Sequence, residues 1–159
     1  MYNDRGNNFE RGIVLKKPNL GYYVQTINHI VTSSEEVGEE MNGSYELIRE
    51  AIDTQKLETL TREQLTDIKA LFAGGTEKYK MMLTQIQGLR PPARVMGIHR
   101  KLEKAFADYV QGCQEMVDAL QPDEAVVNTE LFNQSEKKQD EATDTISFSI
   151  QRMTNLLMK

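Results

Sequence analysis

The sequence predicts an all-α protein, an antiparallel up-down-up-down four-helix bundle with long helices and a loose N-terminal arm over residues 1–18. Beyond Pro18 the apolar residues recur at alternating steps of three and four, the spacing that aligns side chains on one helix face. The interruptions between these runs are short, which makes successive helices antiparallel. No stretch alternates in the strand-like manner. The 159 residues, 39% hydrophobic and 27% charged, suit one domain, which we assign to 19–159.

The first run predicts a helix that packs against more than one neighbour. Its seam comprises Leu20, Tyr23, Ile27, Ile30, Ser34, Val37, Met41, Ser44, Ile48 and Ala51. Gly38 and Gly43 each lower helix propensity by up to about 1 kcal/mol relative to Ala, so packing must hold this helix together.

The second run begins at a capping box, Thr61-Arg62-Glu63-Gln64, in which two side chains satisfy unpaired backbone N–H groups. Its seam comprises Leu65, Ile68, Phe72, Gly75, Tyr79, Met82, Ile86 and Leu89. The Gly74-Gly75 pair could break the helix, but the heptad phase passes through it unchanged. The phase therefore favours a continuous helix and a close helix approach there.

The third run follows Pro91-Pro92, because proline stops one helix and fits the first turn of the next. Its seam comprises Val95, Ile98, Leu102, Ala105, Tyr109, Gly112, Met116 and Ala119. With Phe106, Cys113 and Leu120 beside it, this stripe is the broadest. We therefore expect the third helix to be the most buried.

The fourth run is predicted to open at Pro122-Asp123-Glu124, where acidic residues would face the positive end of the helix dipole. Its seam comprises Phe132, Ser135, Gln139, Ala142, Ile146, Ser149, Met153 and Leu156. Between Asn133 and Thr145 only Ala142 is apolar. This half either projects beyond the core or contains a loop that divides the helix.

The residues argue against several chemistries, and the sequence predicts a protein that is not an enzyme and holds no cofactor or metal. The single Cys113 excludes an intrachain disulfide and a multi-thiolate zinc site. A di-iron bundle needs two Glu-x-x-His motifs, but Thr26 and Met96 precede His29 and His99 by three residues. Cys113 lies deep in the third helix, away from the positive charge that lowers a thiol pKa, and is predicted to be a buried structural residue.

His99 invites comparison with phosphotransfer domains, which are helical bundles with one exposed histidine. Such domains usually carry Lys three residues after the histidine, where this chain has Leu102. We therefore interpret His99 as an interfacial residue near the Pro91 turn. His29 falls on the polar face of the first helix and is predicted to be solvated.

Two groups of residues are candidates for binding a partner. The basic group comprises Arg90, Arg94, Arg100, Lys101 and Lys104. It either binds an acidic or phosphate-bearing partner or forms a solvated face that balances acidic residues of the first helix. The second group, Met81, Met96 and Phe148, lies off the apolar seams. These residues either fill the edges of the bundle or contribute to a partner surface, a role for which Met is well suited.

Two functional hypotheses follow. The first is a non-enzymatic bundle that binds another protein or itself. In this hypothesis the polar seam positions Ser34, Ser44, Ser135, Gln139 and Ser149 select register or partner, and a second copy would satisfy them in a dimer. The second is a carrier or regulatory module that holds a small anionic or apolar ligand between its helices, near the gap left by Gly75 and Gly112.

The segment Leu89-Arg90-Pro91-Pro92, followed by His99, Leu102, Ala105 and Tyr109, resembles a pattern in small helical proteins of Gram-positive bacteria. Some of those proteins are envelope lipoproteins. The resemblance covers about twenty residues, implies a helical bundle and assigns no catalytic residue.

Location is predicted from the ends and the charge of the chain. The segment Met1 to Glu10 has no apolar core of a secretory signal, so a natural start at Met1 indicates a cytoplasmic protein. If the sequence has been trimmed, an exported protein is the alternative. A net charge of −5 disfavours nucleic acid as a partner, and the short apolar runs argue against a membrane span.

Overall fold

The computed structural model describes residues 19–158 and confirms an all-α protein built from four helices. The predicted N-terminal arm, residues 1–18, lies outside the described residues. The helices are α1 (Leu20–Asp53), α2 (Arg62–Gly88), α3 (Met96–Ala119) and α4 (Thr129–Leu157). Three short 3₁₀ turns, Leu57–Thr59, Ala93–Val95 and Pro122–Glu124, lie in the connections. Two-residue strands β1 (Leu120–Gln121) and β2 (Val126–Val127) separate α3 from α4.

Side-chain contacts show that successive helices run antiparallel. The Tyr79 hydroxyl of α2 donates to the Ser34 carbonyl of α1 at 3.2 Å. Further along α2, the Ile86 carbonyl lies 3.1 Å from Nε2 of His99, near the start of α3. In each pair a residue in the first half of one helix contacts a residue in the second half of its neighbour, as antiparallel helices require. Lys138 of α4 pairs in the same way with Glu115 of α3, so the chain runs up, down, up and down.

Side chains at the helix starts explain where the helices begin. The Asn19 carboxamide accepts from the Tyr22 N–H at 2.9 Å and caps α1. The capping box predicted at Thr61 is confirmed, with Gln64 N–H donating to the Thr61 hydroxyl at 3.0 Å and Thr61 N–H donating to the Gln64 side chain at 2.8 Å. Each cap satisfies backbone donors that the first helical turn leaves unpaired.

The predicted continuity of α2 through Gly74-Gly75 is also confirmed. α3 has the largest share of buried residues, 10 of 24, as its broad apolar stripe predicts. The polar half of α4 is a continuous helix rather than a loop, and it does not project beyond the core. Ser135 and Ala142 in that half are both buried.

The predicted start of the fourth helix at Pro122 is wrong. Pro122–Glu124 forms a single 3₁₀ turn, and Ala125 then adopts a left-handed conformation with φ 54°. This reversal pairs Leu120 with Val127 in a minimal antiparallel ladder, which the helical spacing did not predict. α4 instead begins at Thr129, where the Asn128 side chain accepts from the Leu131 N–H at 3.1 Å.

α3 and α4 pack through small residues spaced seven apart. On α3 these are Ala105, Gly112 and Ala119, and on α4 they are Ser135, Ala142 and Ser149, all buried. A Cβ atom added at Gly112 would lie 2.9 Å from Cγ of Gln139 and 3.3 Å from the Ser135 carbonyl oxygen. The backbones approach closely because there is almost no side chain between them.

Candidate functional site

The seam between α1 and α4 is open along its middle, and we call this opening the α1–α4 cleft. It consists of two neighbouring cavities of about 240 Å³ and about 450 Å³, which share Gly38 and Tyr109 in their walls. The smaller cavity reaches residues of all four helices. The bundle is therefore closed on one side of α4, against α3, and open on the other.

Contacts between α1 and α4 lie towards the two ends of the seam. At one end the rings of Tyr45 and Phe132 stack with centroids 6.1 Å apart, and Arg49 donates to Glu136 at 2.8 Å. At the other end the Tyr23 hydroxyl lies 3.4 Å from the Met153 sulfur. Between these ends Gly38 contributes no side chain to α1, which leaves the space unfilled.

The floor of the smaller cavity is apolar and buried. Its buried members are Phe72, Thr76, Cys113 and Met116. The Thr76 hydroxyl donates to the Phe72 carbonyl at 2.8 Å, so its polar atom is satisfied by its own helix. The floor consequently presents ring, methyl and sulfur surface to anything in the cavity.

Two tyrosines separate the smaller cavity from the larger one. The rings of Tyr79 and Tyr109 meet edge to face with centroids 4.9 Å apart, and the Tyr109 hydroxyl donates to that of Tyr79 at 3.4 Å. Burial is the main cause that raises the pKa of both phenols. Both therefore stay protonated at neutral pH.

Cys113 lies in this floor, as a buried residue, which is the role that its place in the sequence predicts. Burial raises the pKa of its thiol to about 12, and a hydrogen bond with Tyr109 offsets only part of that increase. Because the thiolate is the reactive form, this thiol is a poor nucleophile at neutral pH.

The rim of the smaller cavity is acidic, and its two carboxylates have different surroundings. Glu136 is neutralised by Arg49 at 2.8 Å, and a hydrogen bond from Tyr45 to Glu136 contributes, after burial, to a raised Tyr45 pKa. Asp140 makes no hydrogen bond or ion pair with any residue in the range 19–158. Burial, followed by the charges of Glu136 and Asp144, raises the pKa of Asp140.

The two glycines that predicted a gap do not leave one. A Cβ atom at Gly75 would collide with the sulfur of Met41, and one at Gly112 would meet Gln139. Those two side chains already fill the space, and both also line the cavity. The open volume therefore lies beside those two glycines, and the glycine that lines both cavities is Gly38, which the sequence did not single out as a site.

His99 is buried at the interface near the Pro91 turn, as the sequence predicts, with 3% of its surface exposed. The Ile86 carbonyl can only accept, so the Nε2 atom 3.1 Å away carries the proton. Nδ1 then accepts from the Tyr23 hydroxyl at 2.7 Å. Burial is the largest influence on the pKa of His99 and lowers it, so the ring is neutral and structural. His29 is exposed, as predicted.

The predicted partner-binding residues lie on α2, α3 and α4 and in the connection before α3. The ammonium of Lys101 on α3 lies over the Phe148 ring of α4, 5.0 Å from its centroid. Lys104 pairs with Asp108, one turn further along α3. Arg94 donates to the Leu156 carbonyl at the end of α4. The exposed Met81 lies on a different helix, α2. Arg90, Met96 and Arg100 are exposed near the start of α3.

Most of the polar seam positions find partners within the chain. The hydroxyls of Ser34 and Ser135 donate to the Val31 and Phe132 carbonyls at 2.9 and 2.7 Å. Gln139 donates to the Gly112 carbonyl at 3.2 Å. These bonds need no second copy. The buried Ser149 hydroxyl, in contrast, has no hydrogen-bond partner among the described residues.

Comparison with family models, with curated proteins and with solved structures finds no match to this chain. Within residues 19–158 no helix is long and apolar enough to cross a membrane. The same residues contain no group of three or more His, Cys, Asp or Glu side chains that could hold a metal ion.

Proposed function

We propose that this protein is a non-catalytic binding module that holds a small apolar ligand in the α1–α4 cleft. The observation that carries this proposal is the cavity of about 240 Å³, with a floor of buried Phe72, Cys113 and Met116. An apolar protein cavity of about 150 Å³ is large enough to bind benzene. The cavity therefore suits a single substituted ring or a short branched chain.

The chemistry of the lining supports binding rather than catalysis. The thiol and the phenols of Tyr79 and Tyr109 have raised pKa values, so they neither attack nor accept protons at neutral pH. The polar groups lie at the mouth, where Asn42 and Asp140 are exposed. An apolar interior with a few polar groups at its edge is the usual arrangement of a small-molecule site.

Thermal unfolding with 4-bromobenzyl alcohol, a neutral aromatic alcohol with a single ring, tests the proposal. A ligand that binds only the folded state raises its stability by RT ln(1 + [L]/Kd), so Tm should rise with ligand concentration. In the variant Gly38→Met a side chain would occupy the cleft, and the rise should disappear. An unchanged Tm for the native chain, or an equal rise in the variant, would contradict the proposal.

A protein partner is a second candidate function, favoured by the position of Phe148. This ring is 52% exposed on α4, beside a surface groove that contains Lys101 and Lys104. The groove also contains Asp108, which pairs with Lys104, so Lys101 above the ring is the basic side chain that suits an acidic protein surface. A partner captured by the native chain should be lost from Phe148→Ala and retained by Leu47→Ala, which changes an exposed apolar residue on α1.

A further inference from the structure

The acidic residue at the mouth of the cleft indicates what kind of ligand enters it. Asp140 is an exposed carboxylate at the edge of an apolar cavity, and Glu136 and Asp144 lie close enough to repel it. Glu136 already has its own cation in Arg49. The carboxylate of Asp140 makes no ion pair within the described part of the chain.

We propose that the α1–α4 cleft binds an apolar organic cation, which is an amine with an aromatic or branched hydrocarbon body. This inference rests on the proposed function. The ammonium group of the ligand would pair with Asp140 at the mouth, and its hydrocarbon would lie on Phe72 and Met116. A charge-assisted hydrogen bond is stronger than a neutral one. A cationic ligand would also relieve the repulsion among the three carboxylates.

The aromatic lining supports the same choice of ligand. Tyr45 and Tyr109 lie in the walls of the smaller cavity, on α1 and α3. The faces of aromatic rings attract cations. An anionic ligand would instead meet the uncompensated Asp140 and would lose the hydration of its charge without gaining a basic partner.

The test compares three probes of similar shape by calorimetric titration of the full chain. They are 4-bromobenzylammonium, 4-bromobenzyl alcohol and 4-bromobenzoate. We expect the ammonium to bind about tenfold more tightly than the alcohol, and the benzoate more weakly than either. The variant Asp140→Asn should remove the tenfold advantage and leave the affinity for the alcohol unchanged. The matched control, Asp144→Asn, changes an exposed carboxylate on the same helix that does not line the cavity, and it should retain most of the advantage.

The possible results separate this inference from the proposed function. If the ammonium and the alcohol bind equally, and both fail to bind Gly38→Met, the inferred preference for a cation is wrong. The proposed ligand-binding function would still be supported. If the ammonium still binds more tightly than the alcohol in Asp140→Asn, the inference is also wrong, because another group would then bind the charge. If no probe binds, both proposals fail.

Discussion

The two sides of α4 differ in how closely they approach their neighbours. Towards α3, the heptad-spaced Ser135, Ala142 and Ser149 meet small residues, and the Gly112 backbone lies against that of Ser135. Towards α1, the same helix presents Glu136, Asp140 and longer side chains to a helix from which it is separated by open cavities. In this bundle, matched small residues on both helices accompany the closed seam, and larger side chains on α4 accompany the open one.

Adding a side chain to the closed seam should destabilise the protein more than any other substitution considered below. Gly112→Val should lower the free energy of unfolding by about 2–3 kcal/mol, because its Cβ would press on the Ser135 carbonyl and on Gln139. Denaturant unfolding measures the loss. A glycine with open space around it, Gly43, provides the control, and Gly43→Ala should instead stabilise the protein by about 0.5–1 kcal/mol. Equal effects at the two positions would show that α3 and α4 are not in close contact.

A smaller loss is expected at the end of the open seam, where α1 does reach the core. Tyr23→Phe removes the hydroxyl that donates to Nδ1 of the buried His99. An unsatisfied buried acceptor costs about 1–3 kcal/mol, and we expect a loss of about 1–2 kcal/mol in denaturant unfolding. Tyr22→Phe is the matched control, since Tyr22 is 62% exposed and should tolerate the change.

The same network makes stability depend on pH. The pKa of His99 is lowered from 6.5 in the folded state. At pH values between the lowered pKa and 6.5, the unfolded chain is therefore protonated at His99 and the folded chain is not. Its contribution is fully present above pH 6.5 and decreases as pH falls towards the lowered folded value. Urea unfolding between pH 7.5 and pH 5 should show this decrease in the native chain and in His29→Gln, whereas His99→Gln should lack the His99 contribution. An unchanged pH slope in His99→Gln would assign the effect to other groups.

A small substitution in the open seam is expected to stabilise the protein, whereas the substitutions at Gly112 and Tyr23 destabilise it. Gly38→Ala should raise the free energy of unfolding by about 0.5–1 kcal/mol, because the new Cβ meets only the Tyr79 hydroxyl at an ordinary 3.6 Å. A loss of stability there would mean that α1 lies closer to its neighbours than the cleft allows. Denaturant midpoints of the two chains provide the measurement.

A gain of similar size is expected from the hydroxyl of Ser149, which has no hydrogen-bond partner among residues 19–158. Ser149→Ala keeps the small size that the α3 contact needs and removes a buried oxygen without a partner. We expect a gain of about 0.5–1 kcal/mol, whereas Ser135→Ala, which removes a hydroxyl bonded to the Phe132 carbonyl, should give no such gain.

The four helices and their order could be predicted from the sequence, because helical spacing and the Thr61 capping box are local signals. It misplaced the start of α4, because the turn at Ala125 depends on pairing between Leu120 and Val127 rather than on propensity. It interpreted Ser135 and Ser149 as polar layers, whereas in the folded chain their small size serves the close approach to α3. The heptad recurrence of small residues on both helices was the available signal.

The cleft was predicted only in outline. A site between the helices was among the sequence hypotheses, but Gly38 and Asp140 were not among its residues. Neither carries a local signature, since a glycine in a helix and an acid on its polar face are both common. Only the tertiary arrangement shows that the glycine leaves space opposite the one rim carboxylate without a counterion in residues 19–158.

The most direct test of the open seam is a crystal structure of the protein soaked with 4-bromobenzylammonium, located by the anomalous signal of bromine. If the seam between α1 and α4 is open, a bromine peak should appear beside Phe72 and Met116. The ammonium nitrogen should then lie within hydrogen-bond distance of Asp140. A seam filled by side chains of α1 and α4, with no bromine between them, would contradict the account.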